Sequence, residues 1–80
     1  MLGEFLKSMS QNERRKLIVD FFTLGVLERC QICFLGGWLS SEDVKTYQGQ
    51  ELWALAFERA ERENKLDKMR EYVDIALHNT

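Results

Sequence analysis

The sequence predicts an all-α fold, and three observations carry the prediction. Proline is absent and glycine supplies only five of eighty residues, so little interrupts a helix. Apolar residues recur at three- and four-residue spacings, the period of a helix face. The stretch Ser10-Gln11-Asn12-Glu13 also spells a capping box, in which the serine hydroxyl takes a backbone N–H three residues on and the glutamate reaches back. Eighty residues suffice for one domain, near the lower limit for a chain that must stabilise a single core. The expected architecture is therefore one domain over 1–80. It is a small bundle of three main helices, about 11–35, 41–63 and 67–78, with a short N-terminal helical arm over 1–9, assembled as a dimer.

In the arm, Leu2, Phe5 and Leu6 share one helical face, although Gly3 weakens the pattern. The first main helix starts at the capping box. Met9 and Arg14 occupy the positions of a hydrophobic staple, but Arg14 is not apolar, so that element is missing. At 100° per residue, Val19, Phe22, Val26, Cys30 and Cys33 fall on one stripe. Leu17, Phe21, Leu24, Ile32 and Leu35 fall on a second, with Ile18 between them. Polar residues keep only a narrow strip around Asp20 and Gln31. A helix that is apolar nearly all round is buried on most sides. Such a helix is expected to be central, and its neighbours in a chain this small are too few to cover it. That is the argument for a second copy or another protein as partner. Gly25, inside this run, reads as a kink or a point of close helix approach.

Gly36-Gly37 can end the helix in a left-handed turn, with Trp38 and Leu39 folding back as an apolar latch. Ser40 or Ser41 then caps the next helix, and Glu42 and Asp43 suit its first turn. Gly49 is a candidate break in the 41–63 segment. Beyond it Leu52, Trp53, Ala56, Phe57 and Ala60 share an arc opposite Glu51, Glu58 and Arg62. Asn64 is placed to end this helix and Asp67 to cap the last, whose inner face is Met69, Tyr72, Val73, Ala76 and Leu77. With its early Trp53, its small Ala56 and Ala60, and then Tyr72 and Ala76, the segment 52–77 resembles a single tetratricopeptide-type hairpin. The resemblance spans about a third of the chain and no second repeat follows, so it implies a helical hairpin rather than a solenoid.

Composition narrows the function. Residues 1–39 carry five basic and four acidic side chains, and residues 40–80 six and nine, within a net charge of −2. Neither half offers the clustered positive charge that nucleic acid requires. The run 17–35 is long enough to span a bilayer, but it contains Asp20, Glu28, Arg29 and Gln31, and each central charge costs about 2.5–3.5 kcal/mol on insertion. No signal peptide is evident, and two cysteines are fewer than a small secreted scaffold uses. The expected location is cytoplasmic.

Cys30-Gln31-Ile32-Cys33 is a C-x-x-C, but it sits late in a helix, where the dipole opposes a thiolate. It supplies two zinc ligands where four are needed, so only two chains pooling their pairs could form a site. Core packing is the expected role, with no metal and no cofactor. Arg14-Arg15-Lys16 is the main basic cluster, and it lies where the helix dipole disfavours cations. That placement makes it a candidate contact for an anion or an acidic partner. There is no glycine-rich phosphate loop, no nucleophile with a base and no metal cluster, so no enzyme is expected.

The sequence thus points to a non-enzymatic protein–protein interaction module, a small cytosolic regulator, inhibitor or adaptor. A compact chain of this kind suits a phage or mobile-element protein that blocks a host factor. Its expected partners are a second copy of itself, as a homodimer, and a host protein. The predicted interface is Phe21, Phe22, Val26, Cys30, Cys33, Phe34 and Trp38. The alternatives are a helix-turn-helix DNA-binding regulator, reading bases from the helix after Gly36-Gly37, and an acidic mimic of nucleic acid.

Overall fold

A computed structural model of the chain describes residues 9–79. The expected N-terminal arm, Met9 apart, lies outside the described residues. Those residues form five helices and no strand.

Helix α1 (Gln11–Thr23) begins at the capping box. The Glu13 N–H donates to Ser10 Oγ at 3.2 Å, and the Ser10 N–H donates to Glu13 Oε1 at 2.8 Å. The single helix expected over 11–35 does not form. Leu24 and Gly25 are extended, and α2 (Val26–Leu35) starts afresh with Gly25 as its cap. Geometry explains the break. A straight helix of that length would run about 37 Å, against about 20 Å for any thirteen-residue helix available to cover it. Bending lets Leu17, Phe21 and Leu24 on one side of the break, and Ile32 and Cys33 on the other, all reach the same core. Arg29 spans the corner. Its Nε donates to the Leu24 carbonyl at 3.2 Å, and its guanidinium lies over the Phe22 and Trp53 rings at 5.1 and 4.8 Å.

The Gly36-Gly37 joint is a Schellman turn. Gly37 takes φ +76°, its N–H donates to the Phe34 carbonyl, and the Trp38 N–H donates to the Cys33 carbonyl at 2.9 Å. Two orphan carbonyls at the end of α2 are thereby satisfied. Trp38 folds back into the core, fully buried. Ser40 and Asp43 then form a second capping box, opening the short helix α3 (Ser41–Thr46).

The segment expected as 41–63 is divided, as Gly49 suggested. Gly49, at φ +58°, precedes α4 (Gln50–Arg62). Helix α4 closes with another Schellman turn, in which Asn64 takes φ +57° and the Lys65 N–H donates to the Ala60 carbonyl at 2.8 Å. Helix α5 (Leu66–His78) follows at once. Lys65, not Asp67, stands at its cap position, and Asp67 lies in its first turn.

Helix α5 packs against α1, α2 and α4. The expectation that the first helix is central is therefore overturned. The hub is α5, whose Met69 and Val73 are fully buried, whereas α1 turns Ile18, Val19 and Phe22 to water. Around this hub the Phe21 ring meets Trp53 and Phe57 edge-on at 5.7 and 5.0 Å, joining α1 to α4. Ion pairs link the same elements at the rim. Arg70 reaches Asp20 at 2.7 Å, and Arg14 pairs with Glu61.

Candidate interaction face

Ten large apolar side chains lie exposed among the described residues, and seven of them belong to α1 and α2. Up to the corner they follow the two stripes of the sequence, with Leu17, Phe21 and Leu24 in the core and Val19, Phe22 and Val26 facing outward. Beyond it the stripes fail, since Cys33 of the first is buried, Leu35 of the second is exposed, and the exposed Leu27 and Phe34 belong to neither. The predicted interface residues therefore separate. Phe22, Val26 and Phe34 are exposed, and Cys30 is half-buried. Phe21, Cys33 and Trp38 are 0% exposed, and they are corrected from contact surface to core. Each has a specific reason. Phe21 is clasped by Trp53 and Phe57, Cys33 lies on the inner side of α2, and Trp38 is drawn in by the Schellman turn.

Two residues that the sequence reading left off the interface are the most exposed of all, Leu27 at 71% and Leu35 at 70%. The signal for Leu27 was its spacing of seven from Phe34, two helical turns apart on one face. On α2 the residues Leu27, Gln31 and Phe34 span an arc of about 60°, directly opposite the inward Arg29, Ile32 and Cys33. The outward strip carries no charge. Arg29 is turned over Phe22 and Trp53, and Glu28 lies in the first turn of α2, where a carboxylate complements the helix dipole. Beside the strip, α2 and α5 enclose an open groove of about 420 Å³ whose lining includes Ile32, Leu35, Tyr72 and Ile75 together with Glu28 and Gln31.

The basic cluster is largely committed within the chain. Arg14 pairs with Glu61, and Lys16 donates to Asp20 at 3.1 Å. Arg15 is exposed. Arg70 first, and then Lys16, hold the Asp20 carboxyl below the usual carboxylate range.

Cys30 and Cys33 are free thiols. Burial pushes the Cys33 thiol up to about 12, so it stays protonated near neutrality and is a poor nucleophile or ligand. Among the described residues no cluster of three or more His, Cys, Asp or Glu could hold a metal ion. No helix of the described residues is long and apolar enough to cross a membrane.

The helix that a helix-turn-helix reader would place in the major groove is only the six-residue α3. Its Asp43 accepts from the Ser40 N–H at 2.8 Å, the Ser40 hydroxyl at 3.0 Å and the Arg59 guanidinium at 2.7 Å. Arg59 also donates to the Trp38 carbonyl at 3.0 Å. These bonds tie the joint to α4. The buried Trp38 Nε1–H has no hydrogen-bond partner among the described residues, a cost that the joint carries.

No known protein family matches the chain, and neither a curated protein nor a solved structure is significantly similar to it.

Proposed function

We propose that this protein is a non-enzymatic protein-interaction module, a small regulator, inhibitor or adaptor, and that it acts through the outward face of α1 and α2, with a homodimer as its expected assembly. One observation carries the reading. Val19, Phe22, Val26, Leu27, Phe34 and Leu35 are exposed together on two consecutive helices, in a chain whose charged side chains make up 30% of its residues. Scattered exposed apolar residues are ordinary, but a concentrated uncharged face marks a surface that another protein covers. A helix presenting apolar anchors two turns apart fits recognition by another helical surface. The test is binding by the full chain compared with Leu27→Glu and Phe34→Glu, both exposed positions whose change leaves the core untouched. Loss of partner or self-association in both variants, with unchanged helical circular dichroism, supports the reading. Binding that survives both changes overturns it.

A further inference from the structure

The outward strip of α2 has an internal symmetry that selects its occupant. Val26-Leu27 and Phe34-Leu35 lie at equal distances on either side of the midpoint between Cys30 and Gln31. An antiparallel copy of the same helix, related by a two-fold axis through that midpoint, sets Leu27 against the partner's Phe34 and Phe34 against the partner's Leu27. Isologous pairing requires this kind of self-complementarity.

We infer that the face is closed by a second copy of this chain, with α2 packed antiparallel on α2 of the partner subunit and Gln31 beside the two-fold axis. The inference rests on the reading above, that this face binds protein with a homodimer as the expected assembly, and deepens it by giving the geometry of the pairing. Three further observations support it. First, the face is extensive. Leu27 and Phe34 lie at its centre, Val26 and Leu35 on its two flanks, with Val19 and Phe22 before them and Ile75 beside them, and a standard interface takes about 800 Å² from each partner. Second, the charge permits it. Leu27, Gln31 and Phe34 carry no ionised group, so a second copy meets no like charge along the centre of the strip, Glu28 lying at its flank beside Leu35, whereas the remaining surface of α4 and α5 is densely charged. Third, the central polar residue suits the axis. Gln31 is exposed, and a side-chain amide is donor and acceptor at once, so it can pair with its own mate. The two Gln31 residues lie about 1.5 Å apart along the helix direction, one residue's rise. A single polar residue in an apolar seam also fixes register.

The experiment is a charge swap at Gln31, read as solution mass by sedimentation across a concentration series. Wild-type protein is expected as a dimer. Gln31→Glu and Gln31→Lys, each placing like charges at the axis, are expected to weaken it by at least about tenfold. Mixing the two variants is expected to restore the dimer, which happens only if residue 31 faces its own mate. Helix propensities of Gln, Glu and Lys are close, so both monomers keep their fold. Three results would each overturn the proposal: a monomeric wild type up to about 200 μM, a dimer indifferent to both variants, or variants that fail to rescue one another. If the wild type is monomeric while Leu27→Glu still abolishes binding to a different protein, the interaction reading stands and the second copy alone is excluded. If Leu27→Glu alters neither, both fall.

Discussion

Gly36 and Gly37 stand side by side for different reasons, and their substitutions separate them. Gly37 holds φ +76°, and nothing lies within 4 Å of where its Cβ would stand, so Gly37→Ala costs only the left-handed backbone, about 1–2 kcal/mol. Gly36 has an ordinary backbone, but a Cβ there would fall 2.2 Å from a Trp38 ring carbon. Trp38 is fully buried, so Gly36→Ala overpacks the core and costs about 3 kcal/mol. Urea unfolding of the two variants checks the order, which reverses if Trp38 can shift aside. Asp43 governs a second residue-scale property. Donation from Arg59 first, and from the Ser40 N–H second, holds its carboxyl down at about 2. Its pKa in the unfolded chain is about 3.9, so its contribution to stability is present above about 4 and is lost as pH falls toward 2. Asp20 and Glu13 are shifted in the same direction, by Arg70 and by the Ser10 N–H respectively. Asp43→Asn is therefore expected to lower the melting temperature at neutral pH, with a difference from wild type that shrinks between pH 4 and pH 2. A constant difference across that range would show that Asp43 does not act through its charge.

The break between α1 and α2 belongs to the element scale, and glycine is not what makes it. Gly25 has φ −70°, open to any residue, and a Cβ there would meet only the end of the flexible Glu28 side chain. Gly25→Ala is therefore expected to change stability by no more than about 0.5 kcal/mol. Arg29→Ala, by contrast, removes the bond to the Leu24 carbonyl and the stacking on Phe22 and Trp53, at a cost of about 1–2 kcal/mol. Thermal or urea denaturation of both variants decides between a corner held by packing and one held by backbone freedom. The same distinction explains what could be read from the sequence. Caps and stops are local chemistry, so Ser10-Glu13, Gly36-Gly37, Gly49 and Asn64 announced themselves in the order of the residues. The corner at Leu24 is tertiary. It exists because Phe21 and Ile32 seek one core; Gly25 marked the place as a kink or a close approach, but periodicity alone continues the helix straight through. The interface suffered likewise. The two stripes were legible, but the side facing inward was decided by α4 and α5, which placed Phe21, Cys33 and Trp38 in the core and left Leu27 and Leu35 in water.

For the whole molecule the decisive fact is how little chain surrounds the hub. Helix α5 contacts α1, α2 and α4, so Met69 and Val73 lie where these three helices converge. Met69→Ala is expected to cost about 2–5 kcal/mol, a large part of the roughly 4–12 kcal/mol available to a domain this size. With one shared core the loss should appear as a single cooperative transition rather than as the melting of one helix. The sequence pointed to the whole 11–35 segment as the centre because it is the oiliest stretch. The structure instead leaves the surplus apolar surface of that segment on its outside and places the less hydrophobic α5 at the middle. A small core combined with an uncovered face makes stability depend on assembly. A second copy that binds only the folded state raises the apparent melting temperature in proportion to the logarithm of its concentration. The wild type is therefore expected to melt several degrees higher at about 100-fold greater protein concentration, a mass-action gain of about 1 kcal/mol where the dimer is half-dissociated at the lower one. Gln31→Glu is expected to melt with a smaller rise over the same range, starting from the wild-type value at high dilution, because Gln31 is exposed. Calorimetry over that range checks both curves. A wild-type midpoint that does not move with concentration would mean that the α5 hub stabilises the chain unaided and that the face on α2 contributes nothing to holding the fold.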